Sequence, residues 1–324
     1  MTQVQRINIK KLFVISVIVG VFLCSMAYLV GNLLLMSYLR LRQASREPVV
    51  HKVLQSDAVF EELWVQSNLI ERWHFFDMAA AQETIFLLGK SSTFREVGTV
   101  FAIDASDGKT VLWQDNGPSY NGQRRMYATS EALYVGTLGT PYITAYDLRT
   151  GEMLWSQRLR PAERAVDSIY VLNDKIFTSA QNYEFILQAD TGEILGTFDL
   201  KNPLPSEFKL EYLYNPILTE NVSFVWDPGY RLVRAVDRQT DHDLWEVTNA
   251  ASNPAATEQA VYLLTTEGTL LALDPQNGDV LASLQFDAPS FGHIAIDQDI
   301  GLLYVYLYDS EQLFAFRIVD YSPN

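Results

Sequence analysis

The sequence predicts an all-β ring of six four-stranded units preceded by one transmembrane α-helix. Two observations carry that prediction: a turn motif that recurs along the chain, and an apolar run of 28 residues without a charge. The motif is best preserved in ITAYDLRTGEMLW (143–155), VFAIDASDGKTVLW (100–113) and LLALDPQNGDVL (270–281). Asp104, Asp147, Asp237 and Asp274 open the turn, and Gln188 and Arg317 stand in degraded copies. Successive copies lie 37 to 49 residues apart. Self-similarity at that period means stacked units that bury a core only together. The spacing is also the length of four short strands with their turns, the size of a blade, so the expected architecture is a six-bladed β-propeller.

The turn explains its own residue types. Asp accepts a hydrogen bond from the backbone two residues on, and Gly four residues later takes the positive φ of a bulged hairpin. Gly108, Gly151, Gly192 and Gly278 hold that second place, and Asp241 replaces it once. A Trp follows at Trp113, Trp155 and Trp245, with Gly196 and Ala282 where the copies have decayed. Large rings at a repeated outer-strand position read as wedges between neighbouring blades.

The signature D-x-x-T-G-x-x-L-W, quoted from Asp147 to Trp155, resembles the repeat of the PQQ-like (quinoprotein alcohol dehydrogenase-like) β-propeller family. The resemblance covers roughly residues 58–320. It implies the propeller fold and leaves activity open, because the family includes PQQ-dependent dehydrogenases as well as non-enzymatic assembly proteins. Enzymes of the family resemble larger eight-bladed rings, many with adjacent cysteines over the cofactor and an acidic base near calcium. This chain has one cysteine, Cys24, and no match to that set. The expectation is therefore the non-enzymatic branch, with no cofactor.

The sixth unit runs out at Asn324 without an outer strand. A spare copy of that strand lies at the other end of the domain, in Glu62–Gln66, where ELWVQ matches the MLWSQ of Met153–Gln157 and Trp64 takes the place of Trp155. An N-terminal strand completing the last blade would close the ring and remove an exposed edge.

The apolar run is Leu12–Leu39. At ~1.5 Å per residue it is long enough to cross a ~30 Å hydrocarbon core. Arg6, Lys10 and Lys11 precede it and Arg40, Arg42 and Arg46 follow, so flanking charge orients it poorly. A cleavable signal would be cut after Ser25-Met26-Ala27 and leave an apolar end, which makes a retained anchor the better reading. Ser16, Gly20 and Cys24 share one helical face, which permits a weak homodimer through the helix. The domain reading is a cytoplasmic tail at 1–11, a signal anchor at 12–39 in the lipid bilayer, a juxtamembrane tether at 40–57 and the propeller at 58–324, outside the cytoplasm.

Formal charge is −15, yet residues 1–46 hold six Lys or Arg and no Asp or Glu. The rest of the chain is strongly acidic, which excludes nucleic acid as an expected partner. The four histidines, His51, His74, His242 and His293, show no metal-ligand spacing. DASDG and DPQNG lack the alternating acids and distal Glu of a calcium loop. No metal site or catalytic residue is expected.

What remains is a rigid display surface. The longest connection, 199–214, carries Phe208, Tyr212 and Tyr214 beside prolines. Loops on a scaffold and exposed aromatics are where binding concentrates, so these three are the candidate anchors for a protein or peptide partner. The strand-like alternation of KLEYLY favours the alternative, that these rings pack the first strand of the fourth blade. The expected function is a protein-binding scaffold or assembly factor without catalysis; the alternative is a small-molecule or quinone sensor using the central channel.

Overall fold

The computed structural model describes residues 53–67, 69–70, 73–91, 98–115, 123–137, 139–199, 217–219, 221–227, 229–240 and 242–319. The expected anchor at 12–39 and the candidates Phe208, Tyr212 and Tyr214 lie outside the described residues. Among those described, all regular structure is β, and no helix is long and apolar enough to cross a membrane.

Strands β1 (Val53–Ser56) and β2 (Phe60–Ser67) come first. Blade one is β3 (Trp73–Ala81), β4 (Thr84–Ser91), β5 (Thr99–Asp104) and β6 (Val111–Asp115). Blade two is β7 (Gln123–Ala128), β8 (Leu133–Thr137), β9 (Tyr142–Tyr146) and β10 (Met153–Arg158). Blade three is β11 (Val166–Leu172), β12 (Lys175–Ala180), β13 (Tyr183–Gln188) and β14 (Ile194–Asp199). Blade four is β15 (Ile217–Leu218), β16 (Val222–Asp227), β17 (Leu232–Asp237) and β18 (Asp243–Thr248). Blade five is β19 (Ala255–Ala256), β20 (Val261–Leu264), β21 (Thr269–Leu273) and β22 (Val280–Phe286). Blade six holds β23 (Gly292–Asp297), β24 (Leu302–Leu307) and β25 (Gln312–Ile318).

Each blade is an antiparallel sheet, and β2 pairs with β25 as the fourth strand of blade six, with Glu62 opposite Phe316 and Trp64 opposite Ala315. The ring closes as the repeat required. One strand was not foreseen: β1, inside the stretch read as a tether, adds to the outer edge of β22, so blade five has five strands. The middle strands, such as β4, β8 and β24, are buried on both faces and rich in β-branched and aromatic residues, as a strand covered on both sides must be. The innermost strands are harder to read because some are as short as Ala255–Ala256.

In four blades the repeat turn closes alike, the glycine N–H donating to the carbonyl of the turn-opening residue at 2.9 to 3.0 Å. Asp147 Oδ1 accepts from the backbone N–H of Arg149 and Thr150, at 3.0 and 2.8 Å, and from the Thr150 hydroxyl at 2.9 Å. Asp237 does the same with Gln239 and Thr240, and Asp274 accepts from Gln276 and Asn277. The register shifts by one residue beside the turn in five blades and at the matching place between β2 and β25 in blade six, and Gly108, Gly151, Gly192 and Gly278 sit in their turns at φ between 62° and 74°.

Those glycines do a second job. Trp64, Trp113, Trp155 and Trp245 each reach from an outer strand to the next blade and donate the indole N–H to the carbonyl just after its turn-opening residue. The acceptors are Ala105, Leu148, Ala189 and Pro275, at 2.8 to 3.1 Å. The indole then lies against the glycine of that turn. A Cβ would sit 2.5 to 2.9 Å from the ring at Gly151, Gly192 and Gly278, and would clash as badly at Gly108. The glycine is thus required twice, by φ and by contact.

Two seams lack this joint. Between blades five and six, where Ala282 replaces Trp, Phe60, Tyr262, Phe286, Phe314 and Phe316 pack edge to face. Between blades three and four both halves are missing, since Gly196 replaces the Trp and Asp241 the Gly. Phe198 lies over Gly196 and joins Tyr170, Phe177 and Ile186, and among the described residues no apolar cluster bridges that seam.

The closure makes a clear expectation for truncations. A chain lacking residues 1–46 should melt cooperatively, whereas one lacking 1–70 loses β2 and exposes β25. It should aggregate or melt broadly in a thermal scan; an equally sharp and equally high transition would refute closure by β2. For the indole joint, Trp155→Ala should cost about 3 kcal/mol by chemical denaturation, as a large-to-small packing change. Trp155→Phe, which keeps a ring but no N–H, should cost about 1 kcal/mol.

Candidate functional site

Inner strands place ionisable groups around the axis, within apolar runs that would otherwise exclude them. Asp77 sits in the β3 run WHFFDMAAA and is buried. Its Oδ1 accepts from the N–H of Met78 and its Oδ2 from the N–H of Met126 on β7, both at 3.0 Å, so one carboxylate ties blade one to blade two. Burial raises its pKa to about 6 against the opposing pull of Arg125 and of the two N–H groups.

His293 on β23 is buried from blade six. Its Nε2 meets the Tyr308 hydroxyl at 2.5 Å, and the ring hydrogen-bonds the backbone of Phe76 on β3. A neutral imidazole satisfies both, donating to the Phe76 carbonyl and accepting from Tyr308. Burial, helped by the charge of Arg125, lowers its pKa to about 3. Further round the same seam, Asp297 Oδ2 accepts from Glu83 N–H at 2.8 Å, and burial raises its pKa. Gln298 Nε2 donates to the Ala256 carbonyl of blade five at 2.9 Å.

These inner strands enclose a cavity of about 120 Å³ lined by Asp77, Tyr127, Asn253, His293, Gln298 and alanines of β3, β19 and β23. Ligand sites commonly reach roughly 300–1,000 Å³. The carboxylate of Asp77, the imidazole of His293 and the amide of Gln298 are engaged between blades and act as a clasp for the ring, while Asn253 Oδ1 is buried without a partner. Among the described residues no group of three His, Cys, Asp or Glu side chains is placed to hold a metal ion.

The face formed by the connections between blades and between second and third strands is different in character. Tyr230, 81% exposed, stands at the β16–β17 turn beside Arg231, whose guanidinium lies 5.1 Å over the ring of Phe291. Phe291, before β23, and Tyr308, after β24, are both partly exposed, and the Tyr308 N–H donates to the Phe291 carbonyl at 2.9 Å. This is a patch of three aromatics and one arginine, the residue types that anchor protein interfaces.

The residues singled out in the sequence therefore divide. Asp104, Asp147, Asp237, Asp274 and the four glycines build turns, and Trp64, Trp113, Trp155 and Trp245 join blades. The inner clasp and the aromatic patch were not singled out. Asp77 carried a signal, a lone carboxylate in an apolar strand; Tyr230, Phe291 and Tyr308 carried none, because only the fold assembles them.

A ring of four-stranded blades joined by Trp on Gly turns defines a β-propeller of the PQQ-like class. Residues 61–168 and 139–296 match the family described as outer membrane protein assembly factor BamB, and the chain belongs to that family. Among solved structures it is similar to BamB from Moraxella catarrhalis, with 15% identity over 76% of this chain and 70% of that one, at a TM-score of 0.41. It is similar also to the computationally designed Ika8 protein, with 12% identity over 74% of this chain and 70% of that one, at a TM-score of 0.43. No curated protein matches it.

The clasp sets a pH dependence. His293, lowered from 6.5, contributes stability that is full above pH 6.5 and lost as pH falls toward 3. Asp77, raised from 3.8 to about 6, acts oppositely: its burial is a cost above pH 6 that disappears as pH falls to 3.8. His293→Gln keeps a donor and an acceptor but does not titrate. Relative to wild type, this variant should gain about 2 kcal/mol in unfolding free energy between pH 8 and pH 5. A difference that stays constant with pH would show that His293 is not buried neutral.

Proposed function

We propose that this chain is a membrane-anchored, extracytoplasmic propeller that holds protein partners in an assembly process and performs no chemistry. Family membership carries the reading: the matched family is described as an outer membrane protein assembly factor. Two features support it. The channel's carboxylate and imidazole are engaged in clasping blades, and the connection face presents Tyr230, Arg231, Phe291 and Tyr308. Residues 12–39 are the anchor in this reading, with Met1 in the cytoplasm and 47–324 outside, since large C-terminal domains cross membranes largely regardless of flanking charge.

Two experiments test it. Protease added to spheroplasts should digest the propeller of the full-length chain and spare it when residues 1–46 are removed; protection of the full-length domain would reverse the topology. Tyr230→Ala with Phe291→Ala, and separately Phe208→Ala, Tyr212→Ala and Tyr214→Ala together, should weaken capture of the partner without lowering the melting temperature. A large loss of stability in either set would assign those rings to packing.

A further inference from the structure

The rim of the ring presents the outer edges of the blades, and this chain shows what can cover such an edge. β1 lies antiparallel on β22, with Gln55 opposite Gln285 and Ser56 opposite Leu284. At the end of β1, Asp57 grips Ser283: its N–H donates to the Ser283 carbonyl at 3.0 Å, and its Oδ2 accepts from the Ser283 N–H at 2.7 Å. Both backbone groups of Ser283 therefore point outward from the blade.

The outer strands differ in one respect that governs whether an edge invites pairing. Charged side chains protect an edge strand. β2 carries Glu61 and Glu62, β6 Asp115, β14 Asp199, and β18 Asp243 and Glu246. β22, the strand that β1 covers, has no charge at all. β10 is the other outer strand without a carboxylate, and its single charge, Arg158, is its last residue, with Nε buried. Among the described residues no strand covers β10. Its opening pair, Met153 and Leu154, is exposed to the same degree as Val280 and Leu281 on β22.

The correspondence extends to single atoms. Counted from the turn residues Asp147 and Asp274, Ser156 holds the place of Ser283. Each pairs across its hairpin in the matching register, Ser156 with Thr144 and Ser283 with Leu271. The N–H and C=O of Ser156 thus face outward as those of Ser283 do.

We propose that β10 is a docking edge for an extended segment of a partner protein whose strand residues are uncharged. The strand adds to blade two as a fifth strand and is followed, as β1 is by Asp57, by a carboxylate that bonds Ser156. The occupant is an extended protein segment because that is what fills the sister edge on β22. Main-chain bonds along Ser156–Arg158 would supply affinity. The site lies on the rim and is independent of the connection face.

The test uses the full-length chain in detergent and a synthetic peptide of residues 50–58, which contains β1 and Asp57. Hydrogen exchange should show saturable protection at 156–158, including the Ser156 N–H. Ser156→Pro should weaken binding at least tenfold. Ser156→Pro removes an outward N–H and leaves the pairing with β9 intact. Leu195→Lys on β14, and the Tyr230→Ala with Phe291→Ala pair, should leave binding unchanged, which separates failure here from failure of the connection-face reading. The proposal is overturned by no saturable protection, by protection confined to 280–286, or by equal affinity in Ser156→Pro. Protection of Ser156 without peptide that dilution removes would also overturn it, assigning the edge to a second copy of the chain.

Discussion

The indole of each repeat Trp, laid on the glycine of the next blade's turn with its N–H on that turn's carbonyl, is the contact on which the ring depends. A blade is a twisted four-stranded sheet with both faces apolar, and it buries those faces only against neighbours. The joint sets how far apart and at what angle two blades meet, because an indole has one N–H and the turn offers its carbonyl beside a residue with no Cβ. Asp at the turn's opening holds that carbonyl in place through its own bonds to the backbone. Motif, bulge and wedge are therefore one device, and Trp64 carries it across the point where the chain's two ends meet.

The seams are unequal, and the differences follow from which halves of the device survive. Blades five and six replace it with an aromatic cluster, and β1 then spans the outside of blade five before the chain passes to β2. Blades three and four have lost both halves. There the side chain nearest to a substitute is Phe198, which folds back on its own blade, and Glu184 is left with a buried, unpartnered oxygen and a pKa that burial raises to about 7. The inner clasp is strongest elsewhere, where Asp77, His293 and Asp297 bind blades six, one and two. Stability in this ring is distributed unevenly around the circle, as local stability generally is within a fold.

A scaffold reading suits this distribution of chemistry. The ionisable groups at the axis have their hydrogen-bonding capacity committed to the protein itself, while the rim and the connection face carry exposed apolar and aromatic side chains. Binding by such surfaces requires little change in the ring, so the cost of ordering falls mainly on the partner.

The sequence by itself determined the period, the number of blades, the turn chemistry and closure through Trp64, because each rests on local residue types repeated in register. It also marked Leu12–Leu39 as long and apolar enough to span a bilayer. It did not show β1, since VLQS is four residues without a turn signal and becomes a strand only because β22 offers an uncharged edge. It did not show the inner strands, whose two to nine residues carry too little periodicity, nor the clasp, since Asp77 and His293 are 216 residues apart and line one cavity only when the ring brings blade six to blade one. Tertiary structure likewise decided that each glycine serves an indole from another blade. Local pattern encodes what a segment does to itself; what one blade does to the next is fixed by closure.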